Sequence, residues 1–265
     1  MAELQFREDA AAGYDQAIGH MTRQLIPDLL AAGDISPGHR VLDIATGTGL
    51  AAEAVANVVG ESGHVVAADI SPAMLNQARD RLRTLRNVSL SVEDGQSLTA
   101  SNASFDAVIC NMGLMYFPNA LSGISEFWRV LRPGGHVAVT VYISPGRAML
   151  GGVHLAIGRH ATSKAAEYWR FYSLGDKRYL RTLFEQVGFE NIQITSKMLH
   201  FVFSSFDAYF SGIEKGAGSA GQDYMALGAE VRHSVREEVR RYVQDAGGTI
   251  QREVQIRLAS GRRTG

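Results

Sequence analysis

Short apolar runs alternate along this chain with longer stretches whose apolar residues recur at helical spacing, the pattern of a mainly parallel sheet covered on both faces. The pattern predicts strands over 41–44, 64–70, 88–92, 105–112 and 135–142. Between them, Ser71 and Pro72 supply an N-cap and a first-turn proline, after which Met74, Leu75, Ala78, Leu82 and Leu85 follow at helical intervals. Leu121, Ile124, Phe127 and Leu131 form the stripe of a later helix. Asp176 caps another, carrying Tyr179, Leu180, Leu183, Phe184 and Val187 and ended by Gly188. Past a strand-like segment at 191–203 the pattern changes. Residues 206–223 are rich in glycine and aromatics, and Leu227, Val231, Val235, Val239 and Tyr242 then line one side of a helix that Gly247 and Gly248 stop. Ile250, Val254, Ile256 and Leu258 alternate with Gln251, Glu253, Gln255 and Arg257, which predicts a closing, half-buried strand.

The first strand breaks into Ala45-Thr46-Gly47-Thr48-Gly49 before an alanine-rich helix start. Glycine at 47 and 49 lets the main chain bend and lets a ligand approach the backbone, while the unpaired N–H groups of the following helix face the same spot. Gly47-Thr48-Gly49-Leu50-Ala51-Ala52 also satisfies a dinucleotide-binding pattern. Asp69 ends the second strand twenty residues past Gly49, where a carboxylate can accept from ribose hydroxyls. A ribose-bearing ligand fits these residues, with a nicotinamide-dependent oxidoreductase still an open alternative.

Further motifs add to the loop. Asp43 to Gly49, Ala68-Asp69-Ile70-Ser71-Pro72-Ala73-Met74, Glu93-Asp94-Gly95, Phe105-Asp106-Ala107-Val108 and Arg129 through Gly135 resemble, in order and spacing, the motifs of class I S-adenosylmethionine-dependent methyltransferases. The resemblance covers residues 36 to 142 in detail and is closest to the small-molecule branch near the ubiquinone/menaquinone-type enzymes. It implies one α/β domain over 1–265. Its Rossmann-like seven-stranded sheet would have order 3-2-1-4-5-7-6, with the last strand antiparallel and helices on both faces. Residues 1–35 would form an N-terminal helical lid, and 204–248 a helical insertion before the final strand that could cap a substrate.

The resemblance also implies S-adenosylmethionine as cofactor and assigns its contacts. Asp43 would order the Ala45-Thr46-Gly47 loop and meet the methionine amino group, while Gly47 and Gly49 clear space for the methionine and ribose portions. Asp69 would hold the ribose hydroxyls, with Ile70 and Met74 against the adenine. Asp94 would accept from the adenine amino group, Gly95 and Gln96 would frame the ring edge, and Asn111 would face the sulfonium. Tyr14 and Asp15 resemble a Tyr-Asp pair that closes over the cofactor. Plainer roles exist for several: Asp94-Gly95 is an ordinary bend, and Tyr14 can simply pack. Asp43 in an apolar strand, by contrast, is costly unless ligand or backbone satisfies it.

Methyl transfer from a sulfonium is mainly a matter of orienting a nucleophile and excluding water. A phenol, enol or carbanion acceptor would gain from a base, and histidine has a suitable pKa. Of His20, His154, His160 and His200, His154 is the expected catalytic base, with Tyr116 as orienting group, because both follow carboxyl ends of strands. Trp169, Phe171, Tyr172, Phe201, Phe203, Phe206, Tyr209, Phe210 and Met225 are candidate walls for an apolar or aromatic acceptor, methylated at oxygen or carbon. An S-adenosylmethionine-binding enzyme with a non-methylating reaction is the remaining alternative.

Composition narrows partners. With 265 residues, 46% apolar and a formal charge of −1 with both signs interspersed, the chain can bury a full core and carries no electrostatic footprint for nucleic acid. Residues 1–9 hold acids and no long apolar stretch, which argues against a signal peptide, and no later run is long enough to insert in a membrane; a cytoplasmic enzyme is expected. Cys110 is the one cysteine, so a thiolate metal cluster is excluded and no metal site is expected. The segment from Met225 to Val243 and the aromatic insertion offer a surface for a homodimer.

Overall fold

In a computed structural model, which describes residue 11 and residues 13–265, the apolar runs become seven strands of one sheet. They are β1 Arg40–Ile44, β2 His64–Asp69, β3 Val88–Val92, β4 Phe105–Asn111, β5 Leu131–Tyr142, β6 Glu190–Phe203 and β7 Ile250–Arg262, in the order β3-β2-β1-β4-β5-β7-β6. The first five strands are parallel, and β7 runs antiparallel to both β5 and β6, as the motif resemblance implies. Expectations about residues 1–10 and 12 lie outside the described residues.

Eleven α-helices follow the chain among the described residues: α1 His20–Arg23, α2 Ile26–Ala32, α3 Leu50–Val59, α4 Pro72–Leu82, α5 Ala120–Val130, α6 Gly151–His160, α7 Thr162–Ser173, α8 Lys177–Val187, α9 Phe206–Glu214, α10 Gly218–Met225 and α11 Ala229–Tyr242. Alternation along the strands divides the core in two. Val41, Val65, Ala67, Ala107, Ile109 and Ala138 face the layer of α2 to α4, whereas Leu42, Ile44, Val108, Cys110, Val137 and Val139 face the larger core on the other side.

Two boundaries differ from the pattern. Leu131, read as the last member of a helical stripe, starts β5 instead, and the register slips between its pairing with Phe105 and that of His136 with Ala107. An irregularity of this kind lets the Pro133-Gly134-Gly135 turn enter the strand without breaking the sheet. The segment 206–223 folds as helices, with the Ser205 hydroxyl accepting from the Ala208 amide at 3.1 Å as N-cap of α9. Ser205→Ala is expected to cost about 1 kcal/mol. A fall in melting temperature of roughly 2–4 °C would register it.

Candidate functional site

The chain leaves β1 toward β2 on one side of the sheet while β4 lies on the other, so the loops after β1 and β4 diverge and open a crevice at the carboxyl ends. Ala45 and Met112, one residue past each strand, both adopt left-handed backbone (φ 56° and 58°), a costly state for residues with a side chain and one that clusters at functional sites. Gly49 (φ 84°) caps α3, and a Cβ added at Gly47 (φ 57°) would meet nothing within 4 Å, so the bend faces open space.

Two buried carboxylates stand beside that bend. Asp43 is wholly buried in β1; its Oδ2 accepts from the Thr46 hydroxyl at 2.6 Å, while Oδ1 has no hydrogen bond and only the Ala52 amide leans toward the carboxylate. Burial pushes its pKa up to about 7; the Thr46 hydroxyl opposes this and neighbouring Asp69 adds to it. Asp69, at the end of β2, accepts from the Gly47 amide at 2.8 Å and the Ser71 amide at 2.9 Å. Desolvation raises its pKa, against the pull of those amides. Two such acids in a low-dielectric crevice favour a cation.

Around them the other expected residues fall at different distances from the bend. Ser71 caps α4, which carries Met74 into a small cluster with Ala11, Ala73 and Tyr14. Burial raises the Tyr14 phenol pKa, with Tyr116, Asp69 and Asp15 adding negative potential. Ile70 follows Asp69 directly and is half-buried. Asp94 builds a turn: its Oδ1 accepts from the Gln96 amide at 2.9 Å and side chain at 3.2 Å, Gln96 Oε1 accepts from the Asn119 amide at 2.8 Å, and Gly95 lies beneath Phe117. Asn111 differs from the expectation of a side chain turned to the sulfonium. Its amide donates to the Thr22 carbonyl at 3.2 Å and accepts from the Thr140 hydroxyl at 2.7 Å, because α1 covers the end of β4 and its carbonyls need donors.

Arg81, which belongs to no motif in the chain, also reaches the bend. Its guanidinium pairs with Asp15, donates from Nε to the Thr48 carbonyl at 2.8 Å and lies 3.5 Å from Glu53, while Asp15 accepts from the Thr48 hydroxyl at 2.6 Å. The N-terminal segment is thereby tied to the glycine loop. Arg81 closes a helix otherwise read for its apolar stripe, and a cation near the carboxyl end of a helix has an ordinary explanation in the helix dipole.

Beyond the bend a narrow cavity opens, walled by Tyr14, Ile18 and Met21 from the N-terminal segment, Met112, Met115 and Tyr116 after β4, Tyr142 from β5, Leu150, His154 and Phe171 from α6, α7 and the turn before them, and Ser219 and Ala220 from α10. It unites Tyr14, Tyr116 and His154. Tyr116 reaches Ser219 at 3.3 Å and packs edge-on to Phe171. His20 is exposed with its ring edge on Phe201, His160 pairs with Glu238 at 2.7 Å, and His200 is 69% exposed, so none of the three lines the cavity. Of the aromatic candidates Phe171 is a wall; Phe206, Tyr209 and Phe210 are buried against one another and fill the core under the insertion, and Trp169 is 70% exposed. Burial lowers the His154 pKa to about 3, which makes it a poor proton acceptor at neutral pH.

Among the described residues no helix is long and apolar enough to cross a membrane, and no three His, Cys, Asp or Glu cluster to hold a metal. Residues 41–135 match the model of a methyltransferase domain family. A ubiquinone/menaquinone biosynthesis C-methyltransferase UbiE of Coxiella burnetii is 38% identical over 120 residues, which span 44% of this chain and 48%, about half, of that relative. The enzyme of the same name from Ectopseudomonas mendocina is 31% identical over 173 residues, covering 60% of this chain and 68% of its own. Among solved structures, Haemonchus contortus phosphoethanolamine N-methyltransferase 2 in complex with S-adenosyl-L-methionine superposes with a TM-score of 0.62 at 17% identity, over 98% of this chain and 58% of that one. A SAM-dependent methyltransferase from Aquifex aeolicus gives 0.53 at 17% identity, over 75% and 93%.

Proposed function

The chain belongs to the class I S-adenosylmethionine-dependent methyltransferases, and from that membership we propose that it moves the methyl group of S-adenosylmethionine to an oxygen or carbon of a small apolar or aromatic molecule. The likeness to UbiE-named relatives supports a quinone-like ring as acceptor. What supports the cofactor most is the unpartnered, buried Oδ1 of Asp43 beside the open Gly47 bend. It is an acceptor for an ammonium group where desolvation makes such a pairing strong.

When bound, the cofactor supplies a methyl carbon made electrophilic by its sulfonium. The chain's own residues bind and orient. Asp43 would take the amino group; Asp69 retains lone pairs for ribose hydroxyls after its two backbone bonds. Ile70 and Met74 would pack on the adenine, with Asp94, Gly95 and Gln96 at its edge. The Arg81–Asp15–Thr48 tie holds the N-terminal segment over the loop and keeps water from the crevice. Arg81→Met is expected to raise the cofactor's dissociation rate roughly 3- to 10-fold. Stopped-flow displacement of S-adenosylhomocysteine measures this.

The acceptor would enter the Met- and Tyr-lined cavity, whose residues come from the N-terminal segment, the loop after β4, the end of β5, α6 and the turn before it, α7 and α10. With a formal charge of −1, which offers nothing to draw nucleic acid, action on a small molecule in the cytoplasm completes the proposal, and the segment from Met225 to Val243 with the aromatic insertion supplies a face for a homodimer. Incubation with methyl-labelled S-adenosylmethionine and a panel of phenols and demethylated quinols tests the reaction. Label in the organic extract is expected. Intact cofactor after prolonged incubation with the whole panel would favour a non-methylating use of the same site.

A further inference from the structure

His154 is 4% exposed inside α6, its ring stacked on Tyr168 at 4.3 Å and set edge-on to Phe171 at 5.3 Å. Its Nδ1 lies 2.7 Å from the Tyr172 hydroxyl. The groups against it, Tyr168, Phe171 and Tyr172, are uncharged, and the nearest carboxylate in the network, Asp223, is held by the Tyr168 hydroxyl at 2.8 Å and Lys164 at 2.9 Å. With its pKa lowered to about 3 by burial, the imidazole is neutral at physiological pH and carries a single proton.

Hydrogen-bond satisfaction fixes which nitrogen holds that proton. Tyr172 is 6% exposed, and among the described residues His154 Nδ1 is the partner of its hydroxyl. A buried hydroxyl needs an acceptor for its proton. If Nδ1 carried the imidazole proton, the tyrosine proton would have nowhere to go. Tyrosine therefore donates to Nδ1, and the ring N–H resides on Nε2. His154 also lines the cavity whose other walls are Met21, Met112, Met115 and Phe171.

We infer that His154 reads the acceptor molecule, presenting a fixed Nε2–H donor to a carbonyl or phenolate oxygen carried on an otherwise apolar ring. The inference rests on the proposed role of this cavity as acceptor site. His154 is then a positioning and specificity residue: a nitrogen that already bears a proton takes none from the substrate, which replaces the base expected from sequence. Tyr172 sets its tautomer.

Long-range proton–nitrogen NMR of the histidine-labelled full chain reads the tautomer directly. The Nε2–H pattern is expected for His154, unchanged through the neutral pH range, with Tyr172→Phe mixing or reversing it. Matched probes read the recognition: acetophenone is expected to bind about tenfold more tightly than ethylbenzene. His154→Phe should erase the difference and His154→Gln, which keeps an N–H, should restore part of it. An Nδ1–H tautomer in the wild type, equal affinities, or no binding of either probe would each overturn the inference. None of these readouts needs methyl transfer, so a chain that fails to bind S-adenosylmethionine yet shows the tautomer and the preference would count against the proposed reaction alone.

Discussion

Asp69→Ala is expected to weaken S-adenosylmethionine binding by about 2–4 kcal/mol, roughly 30- to 1000-fold, through loss of charge-assisted bonds to the ribose. The structure adds a cost, because the same carboxylate accepts from the Gly47 and Ser71 amides and is 8% exposed. Losing it leaves two amides short of an acceptor, worth a further 1–3 kcal/mol of stability, approximately, and loosens the bend itself. Asp69→Asn keeps one acceptor oxygen and should separate the two effects, recovering most of the melting temperature but less of the affinity. Calorimetric affinity equal to wild type in the alanine variant would remove Asp69 from the site.

Asp43 sets the pH dependence. Its carboxyl titrates at about 7 in the folded chain against 3.8 ordinarily, so the fold retains a proton that the unfolded chain releases. Stability from this group is complete below the ordinary value and is lost as pH rises toward 7, by up to about 4 kcal/mol. An ammonium at Oδ1 reverses the balance by favouring the charged carboxylate. Below about pH 7, binding must then expel a proton, and affinity should fall by approaching tenfold per pH unit; above about pH 8 the ligand's own amine begins to lose its charge. Asp43→Asn should abolish the acid-side slope, raise the melting temperature of the ligand-free protein at neutral pH and weaken binding by roughly 2–4 kcal/mol. Titrations in buffers of different ionisation enthalpy count the released proton. No release at pH 6 in the wild type would show that the ligand does not pair with Asp43.

The strands and the crevice were legible because their signals are local. A run such as Val65 to Ala68 can be buried on both faces without further context, and the bend at Gly47 and Gly49 needs left-handed backbone that glycine supplies. The helix that follows β5 was not legible. α6 opens on Gly151 and Gly152, which lie tightly against Pro145 and Tyr242, so close approach replaces the apolar stripe that would announce a helix. The same holds for the aromatics after β6: sequence gives Phe206 and Phe210 the same appearance whether they wall a cavity or stack on each other, as they do here at 5.3 Å. Asn111 and Arg81 depend on Thr22, Thr140, Thr48 and Asp15, partners far away in the chain, so no motif spacing reports them. Met21, Met112 and Met115 enter the cavity wall for the same reason, each from an element whose own periodicity says only that the residue is apolar.

On the proposed function, the crevice between the β1 and β4 loops holds a cationic adenosyl ligand. Isothermal titration of the purified, folded, ligand-free chain with S-adenosylmethionine at neutral pH tests it most directly. Saturable binding at one site, with S-adenosylhomocysteine competing for it, is the predicted result; a folded protein that gives no heat with either ligand at millimolar concentration would contradict it.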